Sequence, residues 1–80
     1  MTHELKILPE YASPQMCGIK PWELRKNDRN FKVGDVINFI VVGIGIKYSK
    51  EIIYLFEGGS YGLENGYCIM TLIDLEVDNG

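Results

Sequence analysis

Membrane-spanning segments are the first feature that this 80-residue sequence lacks. No apolar run approaches the roughly 18 residues that a membrane helix needs. The longest run, residues 36–46, is interrupted by Asn38, Gly43 and Gly45. The first four residues carry no basic region of the kind that begins a signal peptide. We therefore expect a cytoplasmic protein that does not contact a membrane.

Motifs for metals, nucleotides and triad catalysis are also scarce. The Gly-Ile-Gly at residues 43–45 lacks the third glycine of a dinucleotide fingerprint, and no glycine cluster precedes a Gly-Lys-Ser/Thr. The single histidine, His3, and the two cysteines, Cys17 and Cys68, have no metal-ligand spacing. We expect no metal and no cofactor, and we interpret both cysteines as reduced thiols, at least one of them packed as a small hydrophobic residue.

Positive charge is in short supply. The net charge is −3, so the composition does not indicate a nucleic-acid-binding protein. The distribution is uneven, however. Residues 19–32 contain five lysines and arginines against two acidic residues, whereas residues 36–80 contain two lysines against six acidic residues. One basic segment, residues 19–32, therefore lies on an otherwise acidic chain.

Apolar side chains alternate or run continuously in five stretches that turn residues separate. These stretches predict strands at residues 3–8, 19–26, 36–42, 46–56 and 67–76. The strand at 36–42 is apolar on both faces apart from Asn38, so we expect it to be central or inside a barrel. Residues 9–17 predict either a two-piece turn broken at Ser13 and Pro14 or a short helix that begins at Ser13, and Gly18 is the expected end.

These elements predict one domain over residues 1–77 that is mainly β, of the α+β kind. We predict a small, mostly antiparallel β-barrel of about five strands with one short helix after the first strand. The acidic residues 78–80 are expected to fray.

The basic segment carries the strongest functional signal. Arg25 and Arg29 could hold a phosphate or a base edge through their planar guanidinium groups. Lys20 and Lys26 could supply point charges to a nucleic-acid backbone, and Trp22 could stack on a base. The alternative is an exposed, mutually paired charged face with Trp22 in the core. Composition alone favours this alternative.

The second signal is the loop at residues 58–66, which contains four glycines. Nine residues is long for a hairpin in so small a protein, and long ordered loops are often functional. Tyr61, at its middle, could present its ring to a base or a sugar. The alternative, that the glycines only satisfy turn geometry, is equally open.

Three blocks of the sequence resemble a branch of small bacterial and phage proteins in the activating-signal-cointegrator homology (ASCH) group of the PUA-like superfamily. The blocks are His3-Glu4-Leu5-Lys6-Ile7, then Gly18-x-Lys20-x-x-Glu23-Leu24-Arg25-Lys26-Asn27-Asp28-Arg29-x-Phe31-x-Val33-Gly34-Asp35, and Glu57-Gly58-Gly59-x-Tyr61-Gly62-Leu63. They cover nearly the whole chain in the right order. The middle block is the most specific.

The resemblance implies a PUA-like β-barrel with a cleft lined by Lys20, Glu23 and Arg25. ASCH domains are generally proposed to bind RNA there, so the leading prediction is an RNA-binding module, which is favoured over an enzyme. Lys20 and Arg25 would bind a phosphate, a carboxylate or a base edge, and Glu23 would accept from a base amino group or orient Arg25. Lys26 and Arg29 would extend the basic rim, and Tyr61 would close the cleft from the loop.

Two alternatives belong to other classes. Some ASCH relatives hydrolyse N4-acetylcytidine with a lysine in the position of Lys20 and a threonine in the position of Glu23. Because that threonine is absent, the activity is not carried over. If the protein were such a hydrolase of a modified nucleoside, Lys20 would act as base or nucleophile, with Glu23 or Glu57 as proton shuttle. The other alternative is a phage or prophage accessory protein that binds a host protein. A monomer or a weak homodimer is expected.

Overall fold

Six secondary-structure elements make up the computed structural model of this chain, which describes residues 1–75. In chain order they are β1 (Thr2–Ile7), α1 (Pro9–Met16), β2 (Trp22–Lys26), β3 (Val36–Val41), β4 (Lys47–Glu57) and β5 (Tyr67–Asp74). The predicted end of the last strand at residue 76 and the predicted fraying of residues 78–80 lie outside the described residues. Within residues 1–75, no helix is long and apolar enough to cross a membrane.

The five strands form one sheet in the order β1-β3-β4-β5-β2. β1 pairs with β3 in parallel, and the other three neighbouring pairs are antiparallel. The sheet curls into a half-barrel whose two edges are β1 and β2. The predicted small, mainly-β fold with one short helix after the first strand is therefore confirmed. The strand predicted at residues 36–42 is β3, which lies inside the sheet between β1 and β4, whereas β4 is the middle strand.

The core lies on the inner face of the half-barrel. Its largest contributions come from alternate residues of two strands: Ile37, Phe39 and Val41 of β3, and Cys68, Met70 and Leu72 of β5. Full burial of a large apolar side chain stabilises a fold by roughly 1.5–3 kcal/mol. Both cysteines are free thiols, of which Cys68 packs in this core and Cys17 is exposed.

The helix α1 begins at Pro9 and continues through Pro14, so the predicted break at residues 13–14 is wrong. Pro9 lies in the first turn, where an N–H would have no partner within the helix in any case. Pro14 removes one internal hydrogen bond. The burial of Ala12 and Gln15 offsets that loss, because tertiary packing supplies most of the stability of so short a helix.

The end of α1 positions the start of the basic segment. Gly18 has a φ of 79°, and its N–H donates to the Gln15 carbonyl at 3.3 Å. The N–H of Ile19 donates to the Pro14 carbonyl at 2.9 Å, which completes a Schellman motif and confirms Gly18 as the terminator. The N–H of Lys20 also donates to Pro14, at 3.0 Å. The helix end thereby fixes the backbone that carries the Lys20 side chain.

The loop between β4 and β5 spans residues 58–66, as predicted. It continues the hairpin pairing, because the N–H of Gly58 donates to the Tyr67 carbonyl at 2.8 Å. A Cβ atom at Gly58 would collide with the carbonyl of Glu64. At this position, glycine is required by the close approach of the chain to itself.

Candidate functional site

A cavity of about 410 Å³ lies between the end of β1, the start of α1 and β2. We call it the cleft. Its charged lining residues are Lys6, Lys20, Glu23 and Arg25, and its aromatic lining residues are Tyr11 and Trp22. Four of the seven sequence-predicted binding residues therefore line one cavity: Lys20, Trp22, Glu23 and Arg25.

The orientation of β2 places Glu23 inside and Trp22 outside. Glu23 is only 5% exposed, whereas Trp22 is 44% exposed. The interpretation of Trp22 as a core residue is therefore wrong. The reason lies in the pairing with β5, where Glu23 is opposite the buried Met70 and Trp22 is opposite Thr71. Since strand side chains alternate between faces, Glu23 points to the interior.

Three side chains hold the buried carboxylate of Glu23. Lys20 Nζ donates to Oε1 at 3.0 Å, and Arg25 Nε donates to Oε2 at 2.6 Å. Gln15 Nε2 donates to Oε1 at 3.2 Å. A buried charge of this kind is tolerated only when it is paired and hydrogen-bonded. A carboxylate has about four acceptor positions, so the contacts made within residues 1–75 leave one position, on Oε2.

A partly buried tyrosine, Tyr48, holds Gln15 in this arrangement. Tyr48 OH donates to Gln15 Oε1 at 2.6 Å, and this bond leaves the amide nitrogen of Gln15 facing Glu23. Burial, together with the negative charge of Glu23, raises the pKa of Tyr48 to about 12, so its hydroxyl stays a donor. Sequence reasoning missed both Gln15 and Tyr48. The available signal was that Gln15 lies three residues after the apolar Ala12, on the same helix face.

Lys20 also lies against the aromatic lining of the cleft. Its Nζ is 4.6 Å from the ring centroid of Trp22 and 5.9 Å from that of Tyr11. The same Nζ donates to the Trp22 carbonyl at 3.0 Å. Cation–π attraction operates at these distances. One ammonium group is therefore shared by two rings and a carboxylate.

Two arginines bridge the open edge of the half-barrel. Arg25 Nη2 donates to the carbonyl of Lys6 at 2.7 Å, and Arg29 Nη1 donates to the carbonyl of Glu4 at 3.0 Å. These carbonyls are two residues apart on β1, so they point to the same side of that edge strand. The guanidinium groups satisfy carbonyls that an adjacent strand would otherwise bind, and they join β1 to β2 and to the turn that follows it.

Four other predicted residues lie outside the lining of the cleft, namely Arg29, Lys26, Tyr61 and Glu57. Lys26 is exposed at the end of β2, next to the 58–66 loop. Tyr61 is 95% exposed in that loop, and its ring centroid is 6.2 Å from that of Phe56. Glu57 ends β4, opposite Cys68. The 58–66 loop therefore contributes no lining residue to the cleft.

A second buried polar pair joins β1 to the start of β3. His3 Nε2 lies 2.8 Å from Asp35 Oδ2, and the His3 ring packs edge-on against Phe31. The hydrogen bond with His3 lowers the pKa of Asp35 below its usual 3.8, and the N–H of Lys32 adds a further bond at 3.1 Å. Among residues 1–75, no group of three or more His, Cys, Asp or Glu side chains could hold a metal ion.

Comparison with known proteins gives one family. The family model described as Domain of unknown function (DUF3850) matches residues 2–72. No curated protein matches the chain. The match spans β1 to most of β5 and so includes every residue of the cleft. The chain therefore belongs to the family described as Domain of unknown function (DUF3850).

Proposed function

We propose that this chain is an RNA-binding module that takes one unpaired nucleotide into the cleft. The observation that carries the proposal is the ion-paired Glu23 between Lys20 and Arg25, in a cavity lined by the rings of Tyr11 and Trp22. Aromatic rings stack on bases of any identity, and buried polar groups bind base edges. This combination is typical of single-strand recognition.

The dimensions of the cleft favour a single nucleotide. Its volume of about 410 Å³ falls within the range of small-ligand pockets, roughly 300–1,000 Å³. A duplex would instead need a broad basic surface, and the net charge of −3 does not supply one. If two or three phosphates are neutralised, the logarithm of the affinity should fall with the logarithm of salt concentration with a slope of roughly −1.4 to −2.

Fluorescence anisotropy with a labelled mixed-sequence RNA and its DNA counterpart tests the proposal. The variants are Lys20→Ala and Arg25→Ala, and Arg25→Lys is added because Arg25 also holds the Lys6 carbonyl. Lys47→Ala is the matched control, since it removes one positive charge from an exposed residue outside the cleft. We expect each alanine substitution in the cleft to weaken RNA binding by about tenfold or more, and the control to leave it unchanged.

Two results would overturn the proposal. One is RNA binding by the wild-type protein that neither alanine variant of the cleft weakens, with circular dichroism showing that all variants are folded. The other is no RNA binding by the wild-type protein even at low salt. The second result would make free modified nucleosides, the substrates of the hydrolase alternative, the next ligands to measure.

A further inference from the structure

The unused hydrogen-bonding capacity of the cleft has a definite pattern. Within residues 1–75, the contacts of Glu23 leave one acceptor position, on Oε2. Lys20 Nζ has three donors, and in this part of the chain Glu23 and the Trp22 carbonyl use two of them, which leaves one. Arg25 has five donors, and among the described residues Glu23 and the Lys6 carbonyl use two of them, which leaves three. Lys20 donates to Oε1 and Arg25 donates to Oε2, so the carboxylate that carries this acceptor has a cation with spare donors at each of its two oxygens.

We propose that the cleft is selective for the edge of a 2,4-dioxopyrimidine, the uracil base of RNA, an inference that rests on the proposed function. This edge presents a carbonyl oxygen, an N–H and a second carbonyl oxygen, in that order. The N–H donates to Glu23 Oε2, and the two carbonyls accept from Lys20 and Arg25. The donor–acceptor–donor order of the protein is the complement of the order on the base.

Other bases fit this order less well. Cytosine and adenine each present a ring-nitrogen acceptor at the centre of the edge, which would face the negative charge of Glu23. Guanine presents two neighbouring donors, so one of them would meet a cation. A site whose buried polar groups stay unpaired with the wrong ligand rejects that ligand strongly. We therefore expect uracil to bind most tightly.

Gln15 and Tyr48 are the positioning residues for this selectivity. Because Tyr48 OH donates to Gln15 Oε1, the Gln15 amide must present its N–H₂ to Glu23. That bond fixes Glu23 as an acceptor and occupies Oε1, which leaves Oε2 for the ligand. Gln15 is 1% exposed, and its Nε2 also donates to the Trp22 carbonyl at 3.2 Å, so it acts on the ligand through Glu23 and Trp22 and not by direct contact.

Anisotropy with labelled oligo(rU), oligo(rC), oligo(rA) and oligo(dU) of equal length tests the inference. We expect oligo(rU) to bind at least about tenfold more tightly than oligo(rC) and oligo(rA). Equal binding of the three RNAs would overturn the inference and leave the proposed function standing. Binding of none of them would overturn both. Oligo(dU) distinguishes recognition of the base edge from recognition of the ribose. Binding equal to that of oligo(rU) supports recognition of the edge but contradicts the preference for RNA. Binding weaker than that of oligo(rU) supports both.

Two variants test the residues. Glu23→Gln replaces the carboxylate by an amide that can donate, so the ratio of uracil to cytosine affinity should fall about tenfold. Tyr48→Phe loosens Gln15 without touching the cleft, so the same ratio should fall severalfold. Tyr54→Phe, which removes the same atom from an exposed residue of β4, is the matched control. An unchanged ratio in folded Tyr48→Phe protein would refute the positioning role.

Discussion

The pair Gln15 and Tyr48 makes the most direct test of how the cleft is built. The two side chains lie 33 residues apart in sequence and share a 2.6 Å hydrogen bond. Gln15 is almost fully buried, and Tyr48 is partly buried beside Phe39, with ring centroids 5.1 Å apart. Replacing either residue alone leaves the other with an unpaired polar atom. Replacing both by apolar residues leaves no unpaired polar atom in this pair.

The contacts set the size of each effect. Gln15→Leu loses a bond to the ionised Glu23, worth about 1.5–3 kcal/mol, and strands the Tyr48 hydroxyl. We expect a loss of about 3 kcal/mol in the free energy of unfolding. Tyr48→Phe strands Gln15 Oε1 and should cost about 2 kcal/mol. An 80-residue domain has roughly 4–12 kcal/mol in total, so both variants should remain folded.

The double variant distinguishes a coupled pair from two independent residues. In Gln15→Leu/Tyr48→Phe, no polar atom of this pair is left unpaired, so we expect a loss of about 3 kcal/mol instead of the additive value of about 5 kcal/mol. The difference, about 2 kcal/mol, is the coupling energy. It is measured by urea unfolding of all four proteins, followed by far-ultraviolet circular dichroism. With a slope near 1 kcal/mol per molar urea, it corresponds to a midpoint difference of about 2 M.

Additivity would refute the reasoning. If the double variant loses the sum of the two single losses to within about 0.5 kcal/mol, the two side chains do not act as a pair. Gln15 would then not be fixed by Tyr48, and the orientation of Glu23 would need another explanation.

Two further predictions concern pH. Because the hydrogen bond with His3 lowers the Asp35 pKa below 3.8, ionised Asp35 should stabilise the fold at neutral pH, and this contribution should disappear as the pH falls below about 4 and through the lower folded value. Urea unfolding across acidic pH measures it, and a dependence as steep in Asp35→Asn as in the wild type would contradict it. Because burial raises the pKa of Tyr48 from 10.0 to about 12, stability should fall as the pH rises from 10.0 towards 12. An ultraviolet absorbance titration should show one late-ionising tyrosine that Tyr48→Phe removes, and a late transition that persists in this variant would assign it to another tyrosine.

Local patterns were sufficient for most of the fold. The strands, the loop at residues 58–66 and the stop at Gly18 follow from alternation, turn residues and the left-handed backbone that glycine accepts. The helix start was mispredicted because Ser13 and Pro14 form a strong local start signal. The burial of Ala12 and Gln15 against distant residues outweighed it.

The candidate site was also only partly predictable from the sequence. The basic segment was visible in the sequence, because charge is a property of composition, and it supplies Lys20, Glu23 and Arg25. Which face of β2 points to the interior depends on tertiary structure. A five-residue strand with alternating side chains can turn either face inward until its pairing with a partner strand is fixed. Pairing with β5 turns Glu23 inward, and that burial is stable because the neighbouring Lys20 and Arg25 donate to it together with Gln15, which Tyr48 holds from 33 residues away. The contact between Gln15 and Tyr48 depends on long-range packing, which no local sequence pattern specifies.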